Sequence, residues 1–173
     1  MKRIPCVTTL CVGLLVALGA CGGDEVTAPT PTGPFMLIFQ GDASFHVHHE
    51  GNSITVAVVR TSDGTVVVKR TGKIITSLSI VIADLDFSVT FPGLLVAGVA
   101  YEVHYWIDSN FGGGTEGVCD PKAIDHQWNV AIPAVEGDVT ITEHHNPDNT
   151  VDVCSTFGEI VGGGGGGYLV SPT

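Results

Sequence analysis

Residues Ser53 to Thr71 read SITVAVVRTSDGTVVVKRT, two valine-rich runs on either side of Ser62-Asp63-Gly64. β-Branched side chains suit a pleated, half-buried surface, and Asp-Gly between two such runs is the chemistry of a tight hairpin turn. The stretch therefore predicts an antiparallel hairpin. Outward from it, short β-branched and aromatic runs recur, punctuated by Gly, Asp, Asn and Pro. They place strands at Phe35 to Phe39, Ser44 to His49, Ser53 to Arg60, Thr65 to Thr71, Leu78 to Ile82, Asp86 to Phe91, Ala100 to Asp108, His126 to Ile132 and Asp138 to His144. No stretch sustains helical periodicity. The expected fold is all-β, an antiparallel β-sandwich of about seven to nine strands.

The ends of the 173-residue chain read differently from its middle. Met1-Lys2-Arg3 followed by the apolar run Val7 to Ala20 has the build of a secretion leader, too short to span a bilayer. It closes on Leu18-Gly19-Ala20-Cys21, which resembles the lipobox of bacterial lipoproteins. That resemblance implies cleavage before Cys21, lipidation of Cys21, and export to the cell envelope. The acidic pair Asp24-Glu25 does not occupy the position next to the anchor, which by enterobacterial sorting rules permits the outer membrane. The resulting organisation is a signal peptide at 1–20, a Thr/Pro-rich tether at 21–34, a sandwich domain at 35–160, and a glycine-rich flexible tail at 161–173.

Cysteine usage follows from this organisation. Cys6 and Cys11 leave with the leader and Cys21 carries lipid, so Cys119 and Cys154 remain in an oxidising compartment, where a structural bridge is expected. A shared metal is the other use open to that pair. The formal net charge is −11, and losing Lys2 and Arg3 makes it more negative. Such a chain repels nucleic-acid phosphates and anionic headgroups, so no nucleic-acid partner is expected and membrane contact falls to the lipid.

Two groups of residues can carry chemistry. The segment from Tyr101 to Val130 holds both tryptophans and a glycine-rich acidic loop. There Asp108, Asn110, Glu116, Asp120 and Asp125 bracket Gly112-Gly113-Gly114. Oxygen donors on a chain free to curl suit a hard cation such as Ca²⁺. The loop resembles the D-x-N-x-x-G motif of calcium loops but departs in spacing and lacks the closing Glu. The second group is histidine. On a strand, FHVHHEG at Phe45 to Gly51 would put His46 and His48 on one face. Joined by His104 or His126, they would suit Zn²⁺ or Cu²⁺. His144-His145 ends a further strand.

Two family resemblances bear on the middle of the chain. Phe87 to Gly93 followed by Gly98 to Val103 resembles a segment of transthyretin-like, carboxypeptidase-regulatory-like and other immunoglobulin-like sandwich modules, which implies fold and no activity. Phe45-His46-Val47-His48 resembles the metal-binding strand of copper/zinc superoxide dismutases. Those enzymes have a histidine-rich zinc loop and a late arginine, whereas no arginine follows Arg70 here. Dismutase activity is therefore not expected. Blue copper is excluded, since no histidine or methionine follows Cys154. No serine sits in a nucleophile elbow, and the hexaglycine run lacks the Lys and Ser/Thr of a phosphate loop. The expected function is a lipid-anchored envelope binding or structural module, with a cation in the 108–125 loop as its expected stabiliser. A small periplasmic Cu/Zn-binding protein is the alternative, and a hydrolase built on loop carboxylates comes third, with no catalytic residue assigned.

Overall fold

The computed structural model describes residues 32–75 and 85–158. Among these, seven strands appear in the order β1 (Phe35–Asp42), β2 (Ser53–Arg60), β3 (Thr65–Lys73), β4 (Leu85–Leu95), β5 (Tyr101–Ile107), β6 (His126–Ile132) and β7 (Val139–Glu143). Of two four-residue helices, α1 (His46–His49) lies between β1 and β2, and α2 (Cys154–Phe157) follows β7. The strands form two sheets, one ordered β4-β1-β7 and the other β3-β2-β5-β6. The chain is an all-β sandwich, antiparallel throughout except where β7 runs parallel to β1.

The valine-rich hairpin forms as its residues predict. Gly64 takes a positive φ of 68°, which a β-branched residue would resist. Asp63 accepts a hydrogen bond from the Thr65 amide at 3.0 Å, fixing the turn. Alternation then decides what each strand buries. Leu37 and Phe39 of β1, Val56 and Val58 of β2, and Tyr101, Val103, Tyr105 and Ile107 of β5 all enter the shared core. Each large apolar side chain buried there contributes roughly 1.5–3 kcal/mol. At Gly41 the fold needs a missing side chain, because an added Cβ would run into the Phe87 ring that crosses it from β4.

The opposite face of β5 is covered separately. Cys119 and Cys154 are joined in a disulfide, and with Phe157 they bury Trp106 in a small second cluster. The bridge thereby fastens the acidic loop and α2 to the outer side of the second sheet. Gln127 of β6 reinforces this, donating to Asp120 O and accepting from the Val153 amide.

One predicted strand is helical instead. Asp42 accepts from the Ser44 amide at 3.0 Å, ending β1 in a side-chain turn that starts α1. The His49 amide then donates to Phe45 O at 3.1 Å. Phe45 and His49 thus lie four residues apart on one helical face, both fully buried, while Val47 is 64% exposed. Gly51, at φ 83°, ends the turn. The alternating faces expected of His46 and His48 therefore do not exist. The predicted strand Leu78 to Ile82, the leader and lipobox, most of the tether and the glycine tail lie outside the described residues. Among the described residues no helix is long and apolar enough to cross a membrane.

Candidate metal centre

Three elements deliver histidines to one end of the sandwich. His145 lies just beyond β7, in the first sheet. His126 opens β6, in the second sheet, paired with Ile107. His49 comes from α1, in the connection that carries the chain from the first sheet to the second. The group therefore spans both layers. The parallel pairing of β1 with β7 brings its parts together, and the His145 amide donates to Ser44 Oγ at 2.8 Å across 101 residues of sequence.

Their ring nitrogens form a triangle. His49 Nε2 lies 3.0 Å from His126 Nδ1 and 3.0 Å from His145 Nε2, and those two lie 3.2 Å from each other. Hydrogen bonds cannot satisfy such a triangle. Every contact needs one N–H facing one lone pair, and two kinds of atom cannot alternate around three corners. At least one contact stays like against like. A cation accepted by all three lone pairs removes the conflict. A point about 2.0–2.1 Å from each nitrogen, the Zn–N bond length, lies roughly 1 Å off their plane. The ring centroids are 5.0, 4.8 and 5.3 Å apart, close to the roughly 5 Å that tetrahedral imidazoles on zinc would show. The three histidines could hold a metal ion.

Protonation favours the same use. Burial, then the charges of His145, His126 and His48, push His49 down to about 3. Burial, followed by His126, His48 and His144, takes His145 down to about 4. His126 is lowered by burial and by His48. All three are neutral near pH 7, with lone pairs free for coordination. The second ring nitrogen of His49 lies 3.3 Å from Ser109 Oγ, whose hydroxyl donates to Ile107 O at 3.1 Å. That chain makes Ser109 the acceptor of an Nδ1–H and leaves Nε2 as the ligand atom. Trp128 supplies an apolar wall, its ring 5.5 Å from His126 and 5.7 Å from His145.

The other expected ligands are engaged elsewhere. His46 pairs with buried Asp86 at 2.9 Å, and Asp86 also takes the His46 amide. His104 sits on the outer face of β5, between Glu102 at 2.9 Å and Thr156 at 2.6 Å, on the far side of the sheet from the triangle. His48 is exposed at the rim of the site. Of the four histidines expected to bind Cu or Zn, only His126 belongs to the triangle. His49 and His145 complete it.

The acidic loop uses its oxygens on itself. Asp125 accepts from the amides of Ser109, Asn110 and Asp120 at 2.9, 3.0 and 3.0 Å. Burial pushes its carboxyl above the usual range, against the pull of those amides. Asp108 takes the Gly117 amide at 2.7 Å together with the Asn110 side chain, and Asp120 takes the Thr115 amide at 2.6 Å. Glu116 is exposed, and Asn110 Oδ1 is a buried oxygen without a hydrogen-bond partner. Among the described residues these carboxylates form no cluster of metal-ligand geometry, and the histidine triangle does. Of the expected calcium set, Asp108, Asp120 and Asp125 thus brace the loop as acceptors, whereas Glu116 and Asn110 Oδ1 do not.

No protein-family model matches the chain, and no curated protein is significantly similar to it. Among solved structures, a fimbrial assembly protein from Parabacteroides distasonis aligns at a TM-score of 0.36 and 9% identity, over 64% of this chain and 51% of that one. The chain thus spans about half the length of that protein, and the likeness is too slight to transfer a property.

Proposed function

We propose that this chain is an exported, lipid-anchored β-sandwich that binds one first-row transition metal, Zn²⁺ or Cu²⁺, through His49, His126 and His145. The observation that carries this reading is the triangle of ring nitrogens at 3.0–3.2 Å, which hydrogen bonding cannot satisfy and a cation can. Three neutral imidazoles suit borderline metals and give hard cations such as Ca²⁺ no oxygen to prefer. The net charge of −11 favours arrival of a cation at a ligand set that carries no charge of its own. Export and anchoring rest on the leader and on Cys21 as the lipidated residue.

Competition against a chromophoric chelator, with protein carrying no histidine tag, tests the metal reading. One equivalent of Zn²⁺ or Cu²⁺ per chain is expected. Replacing His49, His126 or His145 by Ala should weaken binding beyond the roughly 10–100-fold that loss of an outer partner costs, and His104→Ala should leave it unchanged. Undiminished binding in all three triangle variants would overturn the assignment. Metabolic labelling with a fatty acid tests the anchor, and equal label in a Cys21→Ser variant would sink it.

A further inference from the structure

We propose that His48 supplies the fourth nitrogen of this site, closing it against outside ligands. The inference rests on the reading of His49, His126 and His145 as metal ligands. A metal held by those three leaves its fourth position on whichever side lacks protein. Around the triangle, Trp128 packs against His126 and His145, and Phe45 lies behind His145 with its ring 5.5 Å away. Both are buried. Two further ring neighbours are exposed. Phe111 lies 5.7 Å from His49 and 5.0 Å from His126, and His48 lies 5.5 Å from His145 and 6.5 Å from His49. The exposed rings beside the triangle are thus one that cannot ligate, Phe111, and one that can, His48.

The distances place His48 close to that role. Rings sharing a tetrahedral metal have centroids about 5 Å apart. His48 already meets that spacing to His145 within about half an ångström and misses it to His49 by roughly 1.5 Å. Its side chain is exposed at the end of α1, so rotation about its own χ angles meets no core packing. Four imidazoles would leave no site for water, so the metal would be held rather than used to activate a nucleophile.

Cobalt(II) substitution separates the possibilities, because its visible bands report coordination number and exchangeable ligands. The wild-type protein loaded with Co²⁺ is expected to show intense tetrahedral bands that added azide leaves unchanged. The His48→Ala protein is expected to bind Co²⁺ at least about tenfold more weakly and to shift its bands on azide addition. His48 is exposed, so this variant should keep the wild-type fold, which far-UV circular dichroism checks. Azide binding to wild type as readily as to His48→Ala would overturn the role of His48 and leave the three-histidine site standing. Failure of wild type to bind Co²⁺, Zn²⁺ or Cu²⁺ at all would overturn both.

Discussion

The acidic loop between Asp108 and Asp125 and the histidine corner beside it are both dense in ligand-type residues, yet they use them in opposite ways. In the loop, the carboxylates of Asp108, Asp120 and Asp125 face backbone amides and are satisfied where they stand. At the corner, three nitrogens face one another and no arrangement of protons satisfies them all. Residue type alone therefore does not mark a site. A site is marked by ligand atoms that the fold brings together and leaves unengaged, and the loop is better understood as the brace that holds Ser109 against His49 and sets the start of β6.

Four perturbations would sharpen or break that contrast. The largest effect is expected from opening the bridge. Replacing Cys119 and Cys154 by Ala frees a 35-residue span and should cost about 4 kcal/mol on the chain-entropy model, read by urea unfolding. Zinc affinity of the folded variant should stay nearly unchanged, and its collapse would mean that loop and corner are one unit. Asp125→Ala removes the acceptor of three amides from a fully buried position. A loss of about 3 kcal/mol is expected, and a loss below 1 kcal/mol in the same assay would contradict the bracing role.

The third effect depends on pH. His49 and His145 are held neutral down to about 3 and 4, whereas an unfolded imidazole protonates near 6.5. Between those values the unfolded chain binds more protons than the folded one. The metal-free domain should therefore be at full stability above about pH 6.5 and lose it as pH falls. A drop of roughly 3–4 kcal/mol between pH 7 and pH 5 is expected, measured by urea unfolding in EDTA, and replacing both histidines by Gln should flatten it. The smallest effect is expected from calcium. Millimolar Ca²⁺ should leave the melting midpoint where it is, and a clear rise would restore the acidic loop as a cation site.

Much of the fold was legible because strands leave local marks. Ser53 to Arg60 and His126 to Ile132 were predicted to the residue, and the Cys119–Cys154 bridge followed from cysteine arithmetic. The site was not legible, for two physical reasons. A single helical turn is too short for periodicity to register, so Phe45 and Val47 read as alternation, although Phe45 and His49 are the pair that share a buried face. The second reason is distance along the chain. His145 reaches Ser44 only because β7 lies parallel to β1, and long-range pairing leaves no mark within either segment. The one available hint was positional, since His126 and His145 each stand at a strand end, where a sandwich gathers its loops.

The central claim is tested most directly by anomalous diffraction at the zinc edge from crystals of the zinc-loaded domain. One peak is expected about 2.0–2.1 Å from His49 Nε2, His126 Nδ1 and His145 Nε2. A peak among Asp108, Asp120 and Asp125, a peak at His104, or no peak at all would contradict it.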